Sequence, residues 1–209
     1  MHGILFVGQL IKLSYMKMPK IFYKRNLPHL QPQENIFFVT YLLHGAIPNA
    51  LKAKLKVENE LKVLALKKEA AIKIDEEYRR YFKKFDDLLD EVHHEICWLK
   101  YDDIAQIVSD CWHYWDGKRI ELIAYCIMPN HVHVVLYPFK QDETGKNIFL
   151  QHVMETVKKY TARQCNLLLE RTGQPFWQHE SYDRVVRDRG ELFRILKYVL
   201  DNNTYWTIQ

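Results

Sequence analysis

The sequence predicts an α+β fold, in which an antiparallel sheet carries helices packed mainly on one of its faces. Three observations predict it. Stretches rich in aromatic and β-branched residues alternate with charged, leucine-rich stretches along the chain. Two predicted strands are joined by three residues, a connection short enough to make them antiparallel neighbours. The element order is β, inserted helices, α, β, β, α, β, α, which is of ferredoxin-like or RNA-recognition-motif-like type.

The composition is that of one folded domain, with 209 residues, 48% hydrophobic and 27% charged. Residues 1–30 form a basic N-terminal arm without acidic residues, and residues 31–209 form the domain. Because this arm accounts for the whole net charge of +4, bulk charge does not predict DNA binding by the domain. The four cysteines are widely spaced, which fits a reducing cytoplasm better than a zinc site or disulfide framework. No apolar run reaches the length of a membrane span, so we expect no membrane partner.

The first strand is predicted at Asn35–His44, which is dense in aromatic and β-branched residues and is followed by Gly45 and Pro48. Residues 50 to about 95 then contain no glycine or proline, and their leucines fall at helical spacings. We interpret this stretch as one or two long charged helices inserted after the first strand. Its charges are expected to form a solvated face, and an arm that binds a partner or clamps DNA is the alternative.

The later elements are predicted from turn signals and periodicity. Asp102 and Asp103 favour a helix N-terminus, Asp116-Gly117 is typical of a tight turn, and Gly173 ends a helix. The predicted elements are a helix at 98–115, strands at 119–127 and 131–137, a helix at 147–172, a strand at 181–187 and a helix at 191–200.

The first candidate for chemistry is the sequence His131-Val132-His133. On a strand, residues i and i+2 point to the same face, so both imidazoles can converge on one divalent ion while Val132 points into the other layer. Two alternating histidines on a half-buried strand are more often structural. The pair alone therefore does not assign a metal site.

The second candidate is the helix that bears Lys158-Lys159-Tyr160, in which Tyr160 and Gln164 share one face. A free tyrosine hydroxyl has a pKa of about 10 and is a poor nucleophile at neutral pH. A nearby metal ion and the two lysines would promote its ionisation and neutralise phosphate charge. Alternatively, Tyr160 is one of thirteen tyrosines and packs its ring into the core.

The stretch Tyr125–Leu136, with Met128-Pro129-Asn130 directly before the histidines, resembles the signature strand pair of the single-tyrosine HUH transposases. This family includes insertion-sequence transposases and REP-associated tyrosine transposases. Phe38-Val-Thr40, the residues around Tyr160 and the block from Gly173 to Arg187 agree in the expected order. The resemblance spans about residues 35–200 apart from the insertion, and implies an HUH fold in a cytoplasmic, nucleoid-associated bacterial protein.

The resemblance implies a metal-dependent single-strand DNA endonuclease and transposase. His131 and His133 would bind Mg²⁺ or Mn²⁺, and Gln164 would be a third ligand. Tyr160 would attack the scissile phosphate, giving a 5′-phosphotyrosine and a free 3′-OH, and the strands would be rejoined without ATP. Either a monomer or a homodimer that exchanges the tyrosine helix is compatible with this mechanism.

The implied substrate is single-stranded DNA next to a short hairpin, held by basic and aromatic side chains. The expected contacts are Lys158, Lys159, Arg163, Arg171, Phe176, Trp177, Arg184 and Arg187. Two have a structural alternative, since Arg184 beside Asp183 is compatible with a surface ion pair and Trp177 with a core position.

The chain departs from the family near its end. Relatives commonly carry a Tyr-x-x-x-Asn-Pro turn and a further segment, whereas Tyr198-Val-Leu-Asp-Asn202-Asn203 lacks the proline and the sequence ends at Gln209. We expect a truncated or domesticated protein with weakened strand transfer, and the insertion favours the REP-associated, non-mobile branch. Two alternatives stay open, namely an inactive DNA- or RNA-binding module and a metal-dependent nuclease that uses water as its nucleophile.

Overall fold

The computed structural model describes residues 22–24, 28–30, 32–66, 77, 80–81, 84, 87–89 and 96–202. The strands are β1 (Phe22–Lys24), β2 (Pro28–Leu30), β3 (Phe37–Leu42), β4 (Ile120–Ile127), β5 (His131–Pro138) and β6 (Tyr182–Val185). The helices are α1 (Asn49–Leu66), α2 (Asp102–Trp115), α3 (Leu150–Leu168) and α4 (Arg189–Asp201), with a 3₁₀ turn at Trp98–Lys100 before α2. Each predicted element that lies within these residues is present, with ends shifted by a few residues.

The main sheet has four antiparallel strands in the order β4-β5-β3-β6, which confirms the predicted α+β class. β4 and β5 form the predicted hairpin around Met128–Asn130, and a bulge at Ile123 shifts their register. Most of the expected basic arm at residues 1–30 lies outside the described residues. The part that is described consists of β1 and β2, which pair antiparallel.

The main sheet separates two hydrophobic cores. Helices α2 and α3 pack on the face to which Val132 and Val134 of β5 point, and this side holds the larger core. Helix α4 packs on the opposite face, where Ile195 and Val199 contact the smaller core. Helices therefore cover mainly one face, and the last helix covers the other. Because side chains alternate along a strand, the two histidines of β5 lie on the α4 side, which we name the histidine face.

Helix α4 begins at a well-formed N-cap. The Oδ1 atom of Asp188 accepts a hydrogen bond from the backbone N–H of Glu191 at 2.8 Å, and the Oε2 atom of Glu191 accepts one from the N–H of Arg187 at 3.0 Å. Such a cap contributes about 1 kcal/mol to helix stability. It also sets where the helix starts, and hence which residues of α4 reach the histidine face.

The insertion forms a helical arm, defined as α1 together with the helical residues 77, 80–81, 84 and 87–89. Its two parts are joined by ion pairs, since Glu58 lies 2.6 Å from Lys84 and Lys62 lies 3.4 Å from Glu77. Leu55 and Leu89 are buried in the larger core. The arm is therefore docked on the domain through its apolar side chains. The remainder of the predicted insertion, residues 67–76 and 90–95 included, lies outside the described residues.

All four cysteines are free thiols, and Cys111, Cys126 and Cys165 are buried. Burial raises the pKa of Cys111 and of Cys165 to about 12, so these two thiols stay protonated and act as packing residues. Among the helices that the structure describes, none is both long and apolar enough to cross a membrane.

Candidate active site on the histidine face

The imidazoles of His131 and His133 converge on the histidine face. Their Nε2 atoms are 2.9 Å apart, and the side chains are 1% and 0% exposed. Two ligands that each lie about 2.1 Å from an octahedral ion are about 3 Å apart when they occupy adjacent positions. The pair therefore has the spacing of two adjacent ligands of one divalent ion.

Each histidine has a second partner at its Nδ1 atom. The Oδ1 atom of Asn130 lies 2.6 Å from Nδ1 of His131, and an amide oxygen only accepts, so His131 donates from Nδ1 and carries a lone pair on Nε2. The Oγ1 atom of Thr40 lies 2.8 Å from Nδ1 of His133, and a hydroxyl can accept or donate. Thr40 therefore also permits the tautomer of His133 in which Nε2 is free for a cation, an arrangement typical of metal-binding histidines.

The protonation state of His133 is also the one that a metal ligand requires. Burial lowers the pKa of His133 to about 3, and the Phe38 ring stacks on the imidazole with centroids 5.4 Å apart. The imidazole is therefore neutral at physiological pH. Metal ions bind only this form of histidine.

The histidine pair does not by itself complete a metal-binding set. Within the described part of the chain, no group of three or more His, Cys, Asp or Glu side chains converges as a metal site. Amide and carbonyl oxygens, water and phosphate oxygens are further ligands that suit Mg²⁺.

Helix α4 brings Tyr198 to the pair. Its hydroxyl lies 3.4 Å from Nε2 of His133, and its half-buried ring packs edge-on against the rings of His133 and Phe38. One turn later, the backbone oxygen of Asn202 accepts a hydrogen bond from the Sγ atom of Cys126 at 3.0 Å. Cys126 is the cross-strand partner of His133. The Tyr198 side chain and the Asn202 backbone, four residues apart, thus both lie beside the histidine pair.

The predicted nucleophile Tyr160 and predicted ligand Gln164 are not brought to the histidines within one chain. Their helix, α3, buries Val153 and Val157 in the core on the opposite side of the sheet. Tyr160 is 51% exposed there. Because the sheet lies between this helix and the histidine face, the geometry does not support either assignment.

Three of the side chains expected to bind DNA make contacts within the chain. The Lys158 ammonium donates to the backbone oxygens of residues 178, 179 and 180 at 2.9, 3.3 and 3.2 Å. Trp177 is buried, together with the neighbouring Phe176, and its Nε1–H donates to Oγ1 of Thr161 at 2.8 Å. The Arg171 guanidinium lies 3.7 Å from the centroid of the Trp98 ring. These contacts stabilise the segment that follows α3.

The other expected DNA contacts are divided between different parts of the surface. Lys159 and Arg163 are exposed on α3, whereas Arg187 is exposed just before α4. Arg184 lies 3.6 Å from the Glu191 carboxylate and 5.7 Å from the Phe38 ring, which places it at the histidine face. The eight residues therefore do not form one surface, and Arg184 is the one of them with a contact at the histidine face.

Sequence reasoning missed four residues that the structure places at the site. They are Thr40, Asn130, Tyr198 and Asn202. The spacing of Tyr198 and Asn202 was a usable signal, because it is the same Tyr-x-x-x-amide pattern that singled out Tyr160. The position of Asn130 directly before His131 was a second signal.

No protein-family model matches the chain. An uncharacterized protein of Haemophilus influenzae is 23% identical over 126 residues, which are 52% of this chain and 69% of that protein. Among solved structures, the chain is similar to a REP-associated tyrosine transposase bound to a REP hairpin, with 13% identity, a TM-score of 0.44 and coverage of 86% of this chain and 70% of that one. A candidate transposase of Deinococcus radiodurans has 11% identity and a TM-score of 0.31, with coverage of 88% and 100%. Likeness at these levels does not assign a family.

Proposed function

We propose that this protein cleaves and rejoins single-stranded DNA, with Tyr198 as the nucleophile and His131 and His133 as ligands of Mg²⁺ or Mn²⁺. The observation that carries the proposal is the Tyr198 hydroxyl 3.4 Å from Nε2 of His133, which itself lies 2.9 Å from Nε2 of His131. The resemblance of the stretch around Met128–His133 to single-tyrosine HUH transposases supports the same chemistry.

In this mechanism the Tyr198 oxygen attacks the scissile phosphorus. A bond from the tyrosine oxygen to phosphorus forms, the bond to the 3′-oxygen breaks, the phenolic proton passes to solvent and the leaving oxygen takes up a proton. A bound divalent ion would polarise the phosphate and offset its charge. The products are a 5′-phosphotyrosine and a free 3′-OH. Attack by a 3′-OH on that linkage rejoins strands without ATP, because each step exchanges one phosphate ester bond for another.

Asn202 replaces Gln164 in this proposal as the amide residue one turn beyond the nucleophile. A hairpin-flanked single strand would approach the half-buried Tyr198 from solvent. Arg184 at the histidine face and the exposed Arg187 before α4 would contact its phosphates. Because the tyrosine and both histidines meet within one chain, no exchange of a helix between two copies is required. Mixing a His131→Ala variant with a Tyr198→Phe variant should therefore not restore activity.

The test uses the full-length protein with Mn²⁺ and a single-stranded oligonucleotide that carries a hairpin. After denaturation, a covalent protein–DNA band should appear on the gel. Tyr198→Phe should abolish this band, whereas Tyr160→Phe, the same chemical change in the other candidate helix, should leave it unchanged. Circular dichroism of both variants checks that they are folded.

The other outcomes separate the competing assignments. Loss of the band in Tyr160→Phe alone would restore Tyr160 as the nucleophile and require a second copy of the chain to supply it. Cleavage that persists in Tyr198→Phe without any covalent band would indicate a water nucleophile. Binding without cleavage by the unmodified protein would indicate an inactive nucleic-acid-binding module.

A further inference from the structure

The helical arm is connected to His131 by hydrogen bonds of the Asn130 side chain. The Nδ2 atom of Asn130 donates to the backbone oxygen of Leu89 at 3.3 Å, and its Oδ1 atom lies 2.6 Å from Nδ1 of His131. Asn130 is 4% exposed and Leu89 is 2% exposed. A continuous path of two hydrogen bonds therefore joins the arm to His131 away from solvent.

The orientation of the Asn130 amide follows from its partner in the arm. A backbone carbonyl only accepts, so the NH₂ group of Asn130 must face Leu89 and its oxygen must face His131. Turned the other way, the amide would present an N–H to Nδ1 of His131. That would favour the tautomer with hydrogen on Nε2, which has no lone pair left for a metal ion.

The rest of Asn130 is held independently of the arm. Its backbone oxygen accepts from the N–H of Leu43 at 2.9 Å, and the oxygen of Pro129 accepts from the N–H of Leu99 at 3.1 Å. Because the backbone is anchored in this way, the orientation of the Asn130 side-chain amide is set by its own hydrogen bonds. The Leu89 carbonyl favours the orientation in which Nδ2 faces the arm.

We propose that the helical arm is a positioning element of the metal site. Its Leu89 carbonyl orients the Asn130 amide, and Asn130 in turn holds His131 as the Nδ1–H tautomer with the Nε2 lone pair directed toward His133. Asn130 is thus a positioning residue. The inference rests on the proposed function for the role of the site, but the tautomer of His131 is measurable without metal or DNA.

The first test is NMR of the ¹⁵N-histidine-labelled, full-length, metal-free protein, which distinguishes the two imidazole tautomers. We expect His131 to carry its proton on Nδ1. Asn130→Ala should populate the Nε2–H tautomer and weaken Mn²⁺ binding about 10- to 100-fold. Asn130→Asp keeps an acceptor for Nδ1–H and has no donor to misplace, so it should retain the tautomer.

The second test separates the arm's positioning role from general stability. Leu89→Ala should loosen the carbonyl, populate some Nε2–H tautomer and weaken Mn²⁺ binding about 3- to 10-fold, as expected for one weakened hydrogen bond. Leu55→Ala is the matched control, because it truncates a buried leucine in α1, away in sequence from the carbonyl that accepts from Asn130. It should lower the melting temperature and leave the tautomer and the Mn²⁺ affinity unchanged.

Several outcomes would overturn the proposal. An Nε2–H tautomer of His131 in the unmodified protein, or an unchanged tautomer and Mn²⁺ affinity in Asn130→Ala, would show that Asn130 does not position the ligand. Equal effects of Leu89→Ala and Leu55→Ala would show that the arm acts through stability alone. If the expected tautomers are observed but Mn²⁺ does not bind, the proposed function fails while the positioning contact stands.

Discussion

The hydroxyl of Thr40 provides a specific test of the proposed metal site. Thr40 and His133 are directly paired across β3 and β5, and their Oγ1 and Nδ1 atoms are 2.8 Å apart in a fully buried setting. Valine has nearly the shape of threonine but no hydroxyl. Thr40→Val therefore removes the partner of Nδ1 and changes little else.

Two effects of Thr40→Val follow from this geometry. A buried imidazole nitrogen left without its partner should lower the free energy of unfolding by about 1–3 kcal/mol. Loss of an outer-shell partner of a metal-binding histidine should also weaken Mn²⁺ binding about 10- to 100-fold. Urea denaturation measures the first effect, and isothermal titration with Mn²⁺ measures the second.

Thr161→Val is the matched control. Thr161 is also fully buried, and its Oγ1 atom accepts from the ring N–H of Trp177 at 2.8 Å, but it lies in α3 on the opposite side of the sheet. This variant should lose a similar amount of stability and keep its Mn²⁺ affinity. If both variants bind Mn²⁺ equally well, or equally poorly, then the hydroxyl of Thr40 does not support a metal ligand and the reasoning fails.

Two further predictions concern protonation and the lysine pair. Because burial lowers the pKa of His133 from 6.5 to about 3, the unfolded chain takes up a proton below pH 6.5 that the folded protein does not, so stability falls as the pH decreases from 6.5 toward 3. Between pH 7 and pH 5 this proton uptake lowers the free energy of unfolding of the metal-free protein by roughly 2 kcal/mol. Urea denaturation at the two pH values should show a loss of stability that is smaller by this amount in His133→Asn. Equal losses in the variant and the unmodified protein would contradict the prediction. Lys158→Met should lower stability by about 1–3 kcal/mol because three carbonyls lose their donor. Lys159→Met, at an exposed position, should change it by less than about 0.5 kcal/mol, and equal melting temperatures for the two variants would count against the assignment.

The sheet was predictable because its signals are local. Aromatic and β-branched residues mark β3, β4 and β5, and the short connection at Met128–Asn130 requires an antiparallel hairpin. Strand alternation also placed the two histidines on one face and Val132 on the other, as observed. These properties depend on neighbouring residues, so one sequence was sufficient.

The side of the sheet that each helix covers was less predictable. An amphipathic pattern shows that a helix has an apolar face, but α3 and α4 have similar patterns and pack on opposite faces. Tyr160 and Tyr198 each stand four residues before an amide side chain, Gln164 and Asn202 respectively. Because the two local patterns are equivalent, tertiary placement alone distinguishes the candidate nucleophiles.

In the proposed function, a nucleophilic tyrosine must satisfy two physical requirements. Its hydroxyl must be held near the two histidines, and it must also be accessible to a DNA strand. Tyr41 does not meet the second requirement, because it is fully buried and its hydroxyl accepts a hydrogen bond from Nε1 of Trp112 at 2.9 Å. Burial also raises the pKa of Tyr41 well above its usual value. Tyr160 is reachable but lies across the sheet from the histidines. Tyr198 lies next to the buried stripe of α4 that includes Ile195 and Val199, so the sheet holds its ring while the side chain stays half-exposed. It is the tyrosine of these three that meets both requirements, which is why exchanging Tyr198 rather than Tyr160 for phenylalanine is the decisive experiment.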